Sequence, residues 1–295
     1  MSVSRRRFMV IAAGTLAGMT LPRLALATAR IWRARAFGTD VSIFLPAIGQ
    51  DFYRVVRSVE RELQLIEKEF SLFADSALVR LNESGILKNP GKRMRDVFEM
   101  SAEIHEATGG AFDPTVQTIW KAHASGGDLA GARARAGWRK VEHSASQIRL
   151  ASGMELTFNG IAQGYAADRL RSILKREGYS DLLVNMGEIG AMGRPENTTA
   201  WQVRIADAAG QIVGQMQLKD RSLATSSPKG MLIGPQHQPH ILHPDGRHPI
   251  WNTVSVSASS AALADGLSTA FCLMGKGEIE TALARISDAS LELCI

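Results

Sequence analysis

Cysteine is almost missing from this chain: two residues in 295, Cys272 and Cys294. That excludes a multi-disulfide scaffold and leaves one bridge or, the plainer reading, two free thiols. No low-complexity linker and no internal repeat divides the sequence, so residues 30–295 read as one large domain or two intimately packed halves. No Lys/Arg run interleaved with aromatics occurs beyond residue 29, which removes the argument for nucleic-acid binding. Acid is absent from the first 29 residues, which hold Arg5, Arg6, Arg7 and Arg23. Without them the balance falls from 34 basic against 29 acidic residues to 30 against 29, a net charge of +1. The basic character of the whole chain therefore belongs partly to this leader.

The leader itself is informative. Ser4-Arg5-Arg6-Arg7-Phe8 followed by apolar residues reads as a twin-arginine export signal. The apolar run Phe8–Leu21 is shorter than the roughly 20 residues that span a bilayer. Ala25-Leu26-Ala27 and Ala27-Thr28-Ala29 offer small-x-small cleavage sites. The expectation is a periplasmic protein with residues 1–29 removed.

Asp265-Gly266-Leu267-Ser268-Thr269 places a carboxylate and a hydroxyl on one face of a predicted helix. Both are hard oxygen ligands suited to Mg²⁺, although on spacing alone the commoner reading is a solvated Asp and a back-bonded Thr. A strand over 253–257 precedes the helix, Ser259 or Ser260 offers its N-cap, and Gly275 its stop.

The remaining elements are mixed. Alternation predicts one strand over Arg35–Leu45; Phe52, Val55, Val56, Val59, Leu63, Ile66 and Phe70 recur at helical spacing. Further helices are expected over Arg95–Thr108 and about Ile161–Glu177, and a short strand over Leu182–Asn185. Hairpins are expected around 151–153 and 207–210, and a final strand over 291–295. Hairpins mixed with long helices predict an α+β domain.

Three loops invite chemistry. Thr157-Phe158-Asn159-Gly160-Ile161-Ala162-Gln163-Gly164 joins a strand to a helix, where glycine permits close backbone approach and a helix start favours phosphate; a plain structural turn fits as well. Gly109–Thr115 reads either as a ligand-contacting loop or as a helix stop followed by an Asx-Pro turn. Four of the seven histidines, His237, His240, His243 and His248, fall within twelve residues. A zinc or copper cluster competes there with a strand carrying His240-Ile241-Leu242 into a proline turn.

Taken in order, Phe37–Thr39, Phe70–Asn82, Gly109–Thr115, Asn159–Asp168, Leu183–Glu188, Ala224–Ser226, His240–Pro244 and Ala264–Thr269 resemble the ApbE-type flavin transferases. The resemblance covers nearly all of residues 30–295. It implies a single compact domain of two interleaved parts and transfer of FMN from FAD to a Thr or Ser of an acceptor flavoprotein, with Mg²⁺ and release of AMP. Carried over by motif, Asp265, Thr269 and backbone carbonyls of Gly160 and Ala162 would hold the metal. Phe37, Phe73, Ala111, Phe112, Asp113, Thr157, Gln163 and Ile241 would contact FAD, and His240 would accept the proton. The sequence departs from the family at Thr157 and His243, where Asp is usual, at Asn159, where Gly is usual, and at Gln163, where Lys is frequent. Asn159–Gly164 is similar to the branch serving nitrous oxide reductase maturation, whose acceptor would be membrane-bound. An FAD pyrophosphatase and a non-catalytic FAD carrier remain open beside the transferase.

Overall fold

The computed structural model describes residues 29–46, 52–196 and 198–295. The expected export signal and its arginines lie outside the described residues. The described residues begin with β1 (Ala29–Ala36) and β2 (Thr39–Pro46), followed by α1 (Phe52–Phe70), α2 (Ala77–Ser84), β3 (Ile86–Lys88) and α3 (Lys92–Ala107). Next come α4 (Gln117–Ser125), α5 (Leu129–Arg135), β4 (Glu142–His143), β5 (Gln147–Arg149) and α6 (Ala162–Arg176). Two hairpins follow, β6 (Leu182–Asn185) with β7 (Ile189–Met192) and β8 (Trp201–Ala206) with β9 (Ile212–Leu218). The remainder is β10 (Ser222–Ser226), β11 (Leu232–Ile233), β12 (Gln238–Pro239), β13 (Val254–Ala258), α7 (Ala261–Phe271), α8 (Lys276–Arg285) and β14 (Ser290–Cys294). The α+β expectation is met.

Seven strands form the central sheet in the order β1-β2-β6-β7-β10-β13-β14, each pair antiparallel. Its two faces are sorted by the period-2 pleat. Ile43, Leu45, Leu182 and Val184 face the main core under the helices, while Phe44 and Leu183 face a second cluster closed by Trp201, Val203 and Leu218 of the β8–β9 hairpin. Burial on both faces explains the continuous apolar run of β6. Helix α1 turns Val55, Val59, Leu63, Ile66 and Phe70 into that core. Its buried Glu62 is held by Arg93 of α3 at 2.7 Å and Arg169 of α6 at 2.8 Å, which fixes α6 against α1.

Four expectations are corrected. The strand over Arg35–Leu45 is a hairpin, because Phe37 and Gly38 take φ values of 53° and 73° and pair Ala36 with Thr39. This conformation is costly for Phe37, and its N–H is anchored on Glu67 Oε1 at 3.0 Å. The hairpin around 151–153 does not form: β5 pairs with β3 and β4. Residues 154–158 instead lie against the Asn82 amide, which donates to the Leu156 carbonyl at 2.9 Å and accepts its N–H at 2.8 Å. One side chain thus replaces a strand partner. Residues His240–Leu242 are not a strand, since the His240 N–H turns back to the carbonyls of Pro228 and Met231. Helix α7 ends at Phe271 rather than Gly275, which serves as the N-cap of α8. Cys272 and Cys294 are free thiols.

Candidate functional site

A cleft of about 1160 Å³, counted out to its open mouth, lies where the 157–163 turn, the loop after α3, the end of β10, the β6–β7 turn and one face of α7 meet. Helix α7 is positioned first. Ser260 caps it, accepting the Leu263 N–H at 3.2 Å. Asp168 of α6 then binds the same helix start, accepting from Ser260 Oγ at 2.7 Å and from the N–H groups of Ala261 and Ala262 at 2.9 and 3.0 Å. A carboxylate satisfies free helix-start donors and opposes the helix dipole there. Gly164 lets the helices close: a Cβ on it would stand 2.4 Å from the Ala261 carbonyl.

That alignment brings Asp265 and Thr269 to the cleft wall. Asp265 is 4% exposed and its Oδ2 accepts the Gly164 N–H at 3.1 Å. Thr269 Oγ1 lies 3.4 Å from Ser226 Oγ, which also bonds Ser268. The turn comes in against Thr269: a Cβ on Gly160 would be 3.0 Å from Thr269 Oγ1 and 3.3 Å from its methyl. Glycine lets the backbone approach that hydroxyl without crowding it.

Burial, partly offset by the Gly164 N–H and augmented by the charge of Asp168, pushes the Asp265 carboxyl up to about 7. Glu188 on the β6–β7 turn is raised well above the ordinary range, by burial first and then by Asp265. Among the described residues no Lys or Arg lines the cleft. Two buried acids without a cationic side chain make a place that favours protons or a bound cation.

Charging Asp265 in the fold therefore costs stability. The cost is absent below about pH 4 and complete above about pH 7, and every tenfold loss of acidity on folding adds about 1.4 kcal/mol to it. Asp265→Asn keeps an acceptor for Gly164 and removes the charge. In chelator-treated protein, the variant's melting temperature minus that of the wild type is expected near zero at about pH 4 and several degrees at about pH 8. A difference that stays flat across that range in thermal melts would show that burial does not hold this proton.

His240 lines the same cleft. Its Nδ1 is 3.0 Å from the Pro228 carbonyl and 3.2 Å from that of Met231. Both partners only accept, so Nδ1 carries the hydrogen and Nε2 keeps its lone pair in the neutral ring. Burial holds the imidazole below its ordinary value, against the two carbonyls that raise it, and so keeps it neutral near pH 7.

Ala111, Phe112, Asp113, Thr157, Gln163 and Ile241 also line the cleft. The Asp113 carboxylate is engaged by the protein itself, accepting from the Thr115 N–H and hydroxyl at 2.8 and 2.6 Å and from the Trp138 N–H at 3.1 Å. The loop is thus an Asx-Pro turn and a cleft wall at once. Phe37, in the first hairpin turn, and Ala162, at the start of α6, are not among the lining residues. Phe73 is 63% exposed and borders a neighbouring groove that meets the cleft at Gln117, Trp120 and Asn159.

The histidines separate. His243 lines a smaller pocket with His248 and His123, on the far side of Ile241 and Leu242. His243 is 6% exposed, with Nδ1 2.5 Å from Asp245 Oδ1, so a carboxylate stands two residues beyond the position where the resemblance expects it. Among the described residues no three His, Cys, Asp or Glu side chains converge as a metal cluster. Glu188, Ser226, Gln117 and Trp120 went unassigned in the sequence. For Glu188 a signal existed: a lone acid between the apolar stretches Leu182–Val184 and Ile189–Ala191.

The model of the ApbE family matches residues 37–294. The chain is 24% identical over 285 residues to the FAD:protein FMN transferase of Klebsiella pneumoniae (strain 342), covering 87% of this chain and 81% of that protein. It is 24% identical over 239 residues to the FAD:protein FMN transferase of Salmonella typhimurium (strain LT2), covering 72% and 68%. Among solved structures, the apo flavinyl transferase ApbE of Pseudomonas stutzeri superposes with a TM-score of 0.75 at 23% identity, covering 88% of this chain and 90% of that one. The ApbE protein of Thermotoga maritima gives 0.78 at 23%, covering 89% and 93%.

Proposed function

The chain belongs to the ApbE family, and from that premise we propose that it is an FAD:protein FMN transferase acting on a Thr or Ser of an acceptor flavoprotein. One observation carries the reading. A single cleft joins a hard-oxygen pair, Asp265 and Thr269, a backbone turn held against that pair by Gly160, and a neutral imidazole at His240, with no Lys or Arg among the described residues of its lining.

The donor set suits Mg²⁺: Asp265 Oδ1 makes no hydrogen bond among the described residues, the Thr269 hydroxyl lies one turn along the same helix, and Gly160 of the 157–163 turn lines the same cleft. Bound there, the ion would supply neutralisation of pyrophosphate charge, which no Lys or Arg among the described lining residues offers. Phe112, Ile241 and Trp120 give FAD an apolar wall. His240 Nε2 takes the proton of the acceptor hydroxyl as its oxygen bonds to the FMN phosphorus. The phosphorus–oxygen bond to the bridging oxygen breaks, and AMP leaves with that oxygen and its electron pair. Nδ1 stays tied to Pro228 and Met231 throughout, which keeps the ring in the tautomer that the step needs.

Incubating the mature protein with FAD, Mg²⁺ and candidate acceptor domains separates the readings. AMP with a fluorescent acceptor band is expected. AMP with free FMN marks a pyrophosphatase, and bound FAD without AMP a carrier.

The Arg5-Arg6 pair supports a further proposal, twin-arginine export to the periplasm, with a membrane-bound electron-transfer protein, such as a nitrous oxide reductase maturation factor, as acceptor. Replacing both arginines with Lys is expected to leave the folded precursor in the cytoplasm. Normal periplasmic accumulation of the double variant on fractionation would rule that route out.

A further inference from the structure

Glu188 has no part in the reading above, yet its placement asks for one. It sits in the β6–β7 turn, 7% exposed, and lines the same cleft as Asp265 and Thr269. Its Oε2 accepts the Thr225 N–H at 3.2 Å, and the next residue, Ser226, reaches Thr269 through its hydroxyl. Glu188 Oε1 makes no hydrogen bond among the described residues, and neither does Asp265 Oδ1. Two nearly buried carboxylates therefore each keep one oxygen unbonded, and no described Arg or Lys lines the cleft beside them. A purely structural buried acid would be expected to pair, as Glu62 does with Arg93 and Arg169.

We propose that Glu188 is the second carboxylate of the cation site, holding a divalent ion together with Asp265 and Thr269. Two carboxylates would neutralise the ion's double charge inside the protein and leave it able to bind a pyrophosphate through its remaining positions. The proposal rests on the reading above for the presence of a cation and names a residue which that reading does not need.

Mn²⁺ is the probe, titrated into the full chain without FAD or acceptor and followed by the electron paramagnetic resonance of the free ion. Glu188→Gln is expected to weaken Mn²⁺ binding by about tenfold or more, since loss of even an outer partner of a metal ligand typically costs about 10- to 100-fold. Its melting temperature in chelator should not fall, because a buried charge has been removed. Glu188→Asp, which keeps the charge on a shorter stem, should fall between. Unchanged Mn²⁺ affinity in Glu188→Gln, or a lowered melting temperature with unchanged affinity, overturns the proposal. Should Glu188→Gln fail to fold, wild-type Mn²⁺ affinity in Glu188→Asp overturns it in the same way. Because no flavin is present, failure of FMN transfer would leave this result standing, and tight Mn²⁺ binding by Glu188→Gln would leave the transferase reading untouched.

Discussion

Asp265→Asn is expected to lower FMN transfer by at least two to three decades while FAD still binds. The substitution keeps the volume of the side chain and an acceptor for the Gly164 N–H, so α7 has no reason to shift. What it removes is the negative charge proposed to hold a divalent cation against water. A metal's stabilisation of a breaking pyrophosphate is worth several kcal/mol, and each 1.4 kcal/mol lost is about tenfold in rate. Thr269→Val removes a neutral ligand of similar volume and should cost about tenfold. Single-turnover AMP release at limiting and saturating Mg²⁺, set beside FAD affinity from flavin fluorescence, separates turnover from binding. Near wild-type turnover of Asp265→Asn in limiting Mg²⁺ would remove Asp265 from the metal shell.

His240→Ala should cost a further large factor, in the range of about 10² to 10⁴ typical of a positioned general base. His237→Ala and His248→Ala should stay near wild type, since neither residue lines the cleft. Burial lowers the His240 imidazole, so the neutral ring persists as pH falls through its ordinary value. With saturating Mg²⁺, the acid limb of the wild-type rate should therefore lie below about pH 6.5 and be missing in His240→Ala. Added imidazole should restore part of the lost rate. Equal losses from all three alanine variants, without rescue, would make the His240 contribution structural.

How far the sequence discloses this molecule depends on which forces fix each element. Helix α1 was legible because Val55, Val59, Leu63, Ile66 and Phe70 form one stripe, and burial alone decides its face. The β8–β9 hairpin was legible through its turn residues. The first hairpin was not, because Phe37 takes a left-handed conformation that an aromatic rarely adopts, held by a contact with Glu67 thirty residues away. Residues 154–158 alternate as a strand does, but their partner is the Asn82 side chain, which no local pattern shows.

The site divides in the same way. Asp265 and Thr269 are one turn apart on a helix, so their common face could be read from spacing. Their meeting with Gly160 and Gly164, about a hundred residues earlier, depends on close contact between α6 and α7. Glu188 reaches the cleft only through the sheet order that sets β7 beside β10. Phe37 and Phe73 were read from motif position alone, and the structure leaves both outside the cleft lining.

One cleft, on this account, moves FMN from FAD onto a protein hydroxyl. Mass spectrometry of a candidate acceptor after incubation with the mature protein, FAD and Mg²⁺ tests that claim most directly. The expected result is an acceptor heavier by one FMN less one water, the label on a Thr or Ser, one AMP released per label, and no label with Asp265→Asn. AMP released in step with free FMN, with every acceptor hydroxyl unmodified, would contradict it.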